Sequence, residues 1–185
     1  MVNDILVDAE SRMKSAVKSL EDDLAAIRTG RASPVLVERL LVEYYGTPTP
    51  MNQLATISVP EPRMLAIRPF DAGSIKDISR AIQASDLGLT PNSDGKIIRL
   101  NIPPLTEERR NELVRVVRSR AEEGRVSIRN IRRDALNDLR EFEREKMISE
   151  DEEKRGKDEL QRLTDHYIDD INETAERKET EVLEV

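Results

Sequence analysis

Cysteine and tryptophan are absent from the 185 residues, and aromatic side chains account for only 3% of them. Without thiols the chain forms neither disulfides nor thiolate metal sites, and a cysteine nucleophile is excluded. So few aromatics beside 36% charged residues suit long amphipathic helices better than a thick globular core, and an elongated molecule is expected. No stretch approaches the roughly 20 apolar residues that span a bilayer. The opening MVNDILVDAE lacks both the basic start and apolar run of a signal peptide and the Arg-rich bias of a transit peptide. The expectation is a soluble cytoplasmic protein with no membrane partner.

Groups for catalysis are equally scarce. The single histidine, His166, lies in an acidic stretch, and its expected role is structural or solvated, which leaves a nucleophilic triad without a base. Asp169, Asp170 and Glu173 are close in sequence, but such runs usually form a solvated helix face, so no metal site is expected. There is no Walker-type loop and no dinucleotide fingerprint, hence no expected cofactor.

What is present is uneven charge. The net charge of −7 argues on its face against nucleic acid, yet residues 107–133 hold nine Arg against five Glu. Residues 141–185 hold eight Lys and Arg against 17 Asp and Glu. A basic segment therefore sits on an acidic protein.

Apolar residues spaced by threes and fours mark three helices. The first carries Leu6, Ala9, Met13, Ala16, Leu20, Leu24 and Ile27 and is expected to end near Gly30. The second opens after Pro103 and Pro104 with Thr106 as N-cap and Glu107 and Glu108 at its positive end. Its stripe is Leu113, Val117, Ala121, Gly124, Ile128, Ile131, Ala135 and Phe142, and if unbroken to Lys146 it is about 60 Å long. The third begins at Ser149 with Glu152 three residues on, the pattern of a capping box, and continues through Leu160, Leu163, Tyr167, Ile171, Ala175 and Val182. The short connection between the last two makes them antiparallel neighbours, and the first fills the remaining groove of a three-helix bundle.

Residues 31–104 differ. Eight of the nine prolines fall between Pro34 and Pro103, and charge there is nearly balanced, eight basic against seven acidic. Strand-like runs at 35–45, 53–59, 63–70 and 96–102 are punctuated by Gly46-Thr-Pro, Pro60-Glu-Pro and Ser93-Asp-Gly. Ile75, Ile78 and Ile82 mark a short helix that stops near Gly88. The fold class expected is α+β: a discontinuous bundle of residues 1–30 and 105–185, with a small α/β domain of residues 31–104 inserted. Two chain crossings join them, Thr29, Gly30 and Arg31 on one side, and Asn101, Ile102, Pro103 and Pro104 on the other. Gly loosens the first and Pro stiffens the second, as in a two-stranded hinge.

On a helical wheel Arg118, Arg125, Arg129 and Arg132 fall within about 60° of one another, with Arg133 near their edge. From Arg118 to Arg132 they cover about 21 Å, a length suited to several phosphates of a folded RNA, which guanidinium forks bind bidentately. The alternative is that these arginines pair with the acidic third helix and with Glu122 and Glu123, and only hold the bundle together. Arg28 and Arg31 are ambiguous in the same way. No aromatic residues are interleaved, so any RNA contact should be to backbone and shape.

At Arg28-Thr-Gly-Arg-Ala-Ser-Pro34, Tyr44-Tyr-Gly-Thr-Pro-Thr-Pro50, Ser85-Asp-Leu-Gly-Leu89, Leu105-Thr-Glu-Glu-Arg-Arg110 and Ser127-Ile-Arg-Asn-Ile-Arg-Arg-Asp134 the chain closely resembles bacterial ribosome recycling factors. The resemblance covers the whole length. One departure is Thr90, where the family more often has Asn, in a turn of the insert. The resemblance implies an L-shaped outline, a monomer that is not an enzyme, and two partners, the large-subunit ribosomal RNA and elongation factor G. It implies that Arg28, Arg31, Arg110, Arg129, Arg132 and Arg133 contact RNA. The bundle would anchor near the peptidyl-transferase centre while the insert swings when elongation factor G engages it. A helical scaffold for protein partners is the competing reading, and an enzyme with a carboxylate-only site stands third.

Overall fold

The computed structural model describes residues 1–184. They divide into two compact units, Met1–Arg28 with Glu107–Glu184, and Thr29–Thr106. The helices are α1 (Val2–Ala25), α2 (Ile75–Ala84), α3 (Glu107–Arg144) and α4 (Glu150–Glu184). All but α2 belong to the first unit, where they pack around one core of Met13, Leu20, Val117, Ile128, Leu139, Leu160 and Ile171, with Ala9, Leu24 and Tyr167 among its further members.

The local chemistry explains where these helices stop. Helix α1 ends at Ala25, five residues before the expected Gly30: Ile27 N–H bonds the Leu24 carbonyl at 3.1 Å in a tightened last turn. Ile27 still packs on the core without helical backbone, so the apolar spacing outlasts the helix. Helix α3 runs 38 residues, about 57 Å, and ends at Arg144. Lys146 then takes a left-handed φ of 61°. Its N–H bonds the Glu143 carbonyl at 2.9 Å and that of Met147 bonds the Phe142 carbonyl at 2.8 Å, a Schellman closure made without glycine. Helix α4 opens with the reciprocal capping box: Ser149 N–H donates to Glu152 Oε2 at 2.7 Å, and Glu152 N–H to Ser149 Oγ at 3.2 Å.

Polar ties fix the register of the bundle. Tyr167, 5% exposed, donates its hydroxyl to Glu10 Oε1 at 2.8 Å. Burial, with Glu10 as neighbour, pushes the phenol up to about 12, and the Tyr167 hydrogen bond holds the Glu10 carboxyl below its usual range. Arg12 bridges to Asp134 on α3 at 3.0 Å. Two glycines permit close approach: a Cβ at Gly124 would stand 3.0 Å from Ile171 Cδ1, and one at Gly156 would stand 3.1 Å from both Leu139 Cδ2 and Val2 Cγ1.

In the second unit β1 (Leu41–Tyr44) and β2 (Thr47–Pro50) form a two-stranded antiparallel sheet. Strands β3 (Ala55–Glu61), β4 (Met64–Pro69), β5 (Pro91–Ser93) and β6 (Ile98–Asn101) form an antiparallel sheet in the order β3-β4-β6-β5. Ile78 and Ile82 of α2 are fully buried with Val42, Leu65, Ile67, Ile98 and Leu100. The expected strand at 35–45 is a strand only from Leu41. Before it, Pro34–Leu36 is a 3-10 turn whose Val35 N–H bonds Ser33 Oγ at 3.4 Å, because a Ser cap followed by Pro favours a turn. Helix α2 stops at Ala84, short of Gly88, where Ser85 turns extended and its hydroxyl donates to the Ile82 carbonyl at 2.6 Å.

Strands β2 and β5 were not expected, both being proline-bearing. The loop Tyr45 and Gly46, with φ of 49° and 78°, is the left-handed pair of a two-residue hairpin. It makes Tyr44 and Thr47 the closing hydrogen-bonded pair, which puts Pro48 opposite Glu43 and Pro50 opposite Leu41. Those are the non-hydrogen-bonded positions, where a missing N–H costs no ladder bond.

The Ser93-Asp-Gly turn joins β5 to β6. Asp94 accepts from the N–H groups of Ile97 and Lys96, both at 2.9 Å, and from Arg99 Nη1 at 3.1 Å, and these bonds hold its carboxyl at about 2 instead of 3.8. A depressed carboxylate adds stability above its unfolded value and loses it as pH falls toward its folded one. Asp94→Ala is therefore expected to lower the melting temperature at pH 7, and the gap from the native chain should close as pH drops from about 4 toward 2. An unchanged gap across that window, followed by circular dichroism, would show that the carboxylate's charge is not what closes the turn.

Candidate nucleic-acid interface

Because α3 is continuous, its arginines keep the wheel positions that periodicity assigns, and α4 lies against it antiparallel. Arg118 Nε donates to Glu179 Oε1 at 2.9 Å. One heptad on, Arg125 Nη1 donates to Asn172 Oδ1 at 2.9 Å and its Nε to Glu122 Oε2 at 2.9 Å. Seven residues forward on α3 thus match seven backward on α4. Another heptad on, Arg132 Nη1 donates to Gln161 Oε1 at 2.8 Å. Arg118, Arg125 and Arg132 therefore line the seam between α3 and α4.

Arg129 and Arg133 do not reach α4. Arg129 Nη1 donates to Glu122 Oε1 at 3.2 Å and Arg133 Nη2 to Asn130 Oδ1 at 2.7 Å, both on their own helix. The Glu122 carboxyl is held below its usual range by hydrogen bonds from Arg125 first and Arg129 second. Such exposed pairs are weak and exchange readily with solvent or another anion. Of the pairing weighed from sequence, the structure thus shows Arg118 on an acidic residue of α4 and Arg125 and Arg129 on Glu122, while Arg132 and Arg133 bond to amides.

Charge compensation separates them further. Arg118, Arg125 and Arg129 each form an ion pair with a glutamate. Among the described residues Arg132 and Arg133 form none, their bonds going to the neutral amides of Gln161 and Asn130. Arg110, in the first turn of α3, is partly buried, and its Nε, like that of Arg132, is enclosed without a partner.

The remaining candidates lie elsewhere. Arg28 is exposed beyond the end of α1, and Arg31 is exposed in the second unit. Thr29 and Gly30 are buried, Gly30 with φ 79°. Asn101 ends β6, Ile102 N–H bonds the Arg63 carbonyl at 2.8 Å, and Pro103 and Pro104 are exposed. On the first side Ala32 N–H bonds the Pro62 carbonyl at 2.8 Å. The two-residue β3–β4 turn, Pro62 and Arg63, thus holds both crossings where they enter the second unit. His166 is exposed and stands 3.7 Å from Asp170. Among the described residues no cluster of three or more metal-ligating side chains occurs, and no helix is long and apolar enough to cross a membrane.

Comparison with known proteins agrees with this architecture. The pattern of the family described as "Ribosome recycling factor" matches residues 20–183. The chain is 60% identical to the ribosome-recycling factor of Roseiflexus castenholzii and 55% identical to that of Carboxydothermus hydrogenoformans, each over 100% of both chains. Among solved structures it is similar to a solution structure of the ribosome recycling factor (47% identity, TM-score 0.72, covering 100% of this chain and 98% of that one). It is also similar to a chain from a structure of the T. thermophilus ribosome recycling factor and the E. coli elongation factor G bound to the E. coli post-termination complex (48% identity, TM-score 0.62, covering 99% of each). Long helices with a small inserted-sheet unit define a translation-factor fold, and the chain belongs to the ribosome recycling factor family.

Proposed function

We propose that this protein acts with elongation factor G and GTP to split the post-termination ribosome into subunits, releasing messenger RNA and transfer RNA, and itself hydrolyses nothing. The observation that carries this is likeness over 99% of the chain to the T. thermophilus ribosome recycling factor, which is described with the E. coli elongation factor G as bound to that complex. The bundle is the anchor, held to large-subunit RNA as a monomer by Arg28, Arg110, Arg129, Arg132 and Arg133, with Arg118 and Arg125 extending the row and Arg31 adding a contact from the start of the second unit. The second unit is the moving part. Thr29, Gly30 and Arg31 with residues 101–104 serve as its hinge, and the Pro62 and Arg63 carbonyls fix where flexing begins. The site of action is the cytoplasm.

Light scattering of post-termination ribosomes mixed with elongation factor G and GTP tests the proposal. The native chain is expected to lower the scattering, and Arg132→Ala to slow that fall by roughly tenfold or more, as for loss of one charge-assisted contact. Circular dichroism should show the variant folded. No fall with the native chain and a compatible elongation factor would favour the scaffold reading.

A further inference from the structure

The α3–α4 seam carries a regularity with one exception. Stepping by heptads, Arg118 meets Glu179 and Arg125 meets Asn172, so the same register places Asp165 opposite Arg132. Arg132 bonds instead to Gln161, one turn earlier on α4. Gln161 Nε2 in turn donates to Asp165 Oδ1 at 2.8 Å. The glutamine therefore stands between the guanidinium and the carboxylate, one end on each. Its orientation is fixed by chemistry: a carboxylate only accepts and a guanidinium only donates, so the amide nitrogen must face Asp165 and the amide oxygen Arg132.

The consequence for Arg132 is specific. Its Nε is enclosed without a partner and one Nη1 hydrogen is taken by Gln161, which leaves three N–H donors of the five. The full charge remains uncompensated by any direct ion pair. A guanidinium already paired with a carboxylate must surrender that pair before meeting a phosphate, whereas one held by an amide need not.

We propose that Gln161 is a positioning residue that engages Asp165 and so keeps Arg132 aimed and unpaired for an RNA phosphate. The proposal rests on the reading that Arg132 anchors the bundle to large-subunit RNA. Without the glutamine, Arg132 swings to Asp165 and joins the pattern of Arg118 and Arg125. A purely structural role for Gln161 predicts something different, since removing Asp165 as well could then only weaken the seam further.

The test measures affinity for purified large ribosomal subunits at low salt with the full chain. Gln161→Ala is expected to raise Kd about tenfold, and adding Asp165→Asn to bring it back to within about twofold of native. In an Arg132→Ala background, Gln161→Ala should change Kd less than twofold, as a double-mutant cycle requires when one residue acts through the other. Gln161 and Asp165 are exposed, so their variants should fold, circular dichroism checks the partly buried Arg132→Ala, and nitrogen-detected NMR of the Arg132 guanidinium reads its restraint in the free protein independently of binding. A Kd unmoved by Gln161→Ala, or a loss that persists with Asp165→Asn, overturns the positioning role while leaving the function intact. An Arg132→Ala variant that binds like the native chain overturns the anchor reading, and this proposal with it.

Discussion

Raising monovalent salt from 50 to 200 mM, with magnesium held constant, is expected to weaken binding to large subunits roughly 300-fold. The figure follows if the six arginines named by resemblance each neutralise one phosphate, because each releases condensed counterion and the logarithmic slope is about −0.7 per contact on unpaired strands, near −4 in total. The protein's net charge of −7 does not oppose this. Its acidic excess is concentrated in α4, while the arginines of α3 are turned toward the seam or away from it, and fields of exposed charge fade within about 10 Å at these salt concentrations. Single arginine-to-alanine variants should each reduce the slope by a little under one. Arg132 and Arg133, held by amides, should show that change in full. Arg129 should show less, since in the free protein it already pairs with Glu122 and exchanges one anion for another. A slope near zero would mean that apolar or shape contacts hold the complex, and the arginine row would lose its role.

How far this interface was legible in the sequence depends on the residue. The wheel brings Arg118, Arg125, Arg129 and Arg132 to one side of α3 without any structure, since an unbroken helix leaves no other choice. It cannot find Arg110, which falls toward the apolar stripe and is in fact partly buried, or Arg28 and Arg31, which lie outside α3. Those came only through resemblance. The partners of the arginines were out of reach for a different reason: Glu179, Asn172 and Gln161 depend on the axial register between α3 and α4, which the tight connection after Lys146 sets. The heptad spacing common to the arginines and to Glu179, Asn172 and Asp165 was the available signal. In the second unit, prolines read as breaks in a sequence, which hides β2 and β5. Pro48 and Pro50 break nothing because the Tyr45 and Gly46 turn assigns them to the positions that need no N–H.

The bundle offers the other large effect. Leu139, absent from the apolar stripe read from sequence, is fully buried where α3 meets Gly156 of α4 and Val2 of α1. Leu139→Ala should cost about 3 kcal/mol through lost burial and the cavity left behind, a fall of roughly 10–20 °C in the helical melting transition of a unit this size. Gly156→Ala is the informative companion. Alanine favours a helix over glycine by up to about 1 kcal/mol, but its Cβ would stand 3.1 Å from Val2 Cγ1 and 3.1 and 3.2 Å from the two Leu139 methyls, and overpacking of that kind costs about 1–3 kcal/mol. Gly156→Ala alone is therefore expected to lower the melting temperature. In the Leu139→Ala background the two methyls are gone, the new Cβ occupies part of the cavity, and the same substitution should raise it. A reversal of sign would identify Leu139 as the side chain that requires glycine at this crossing. An equal loss in both backgrounds would assign that requirement to Val2, and with it the seating of the first turn of α1.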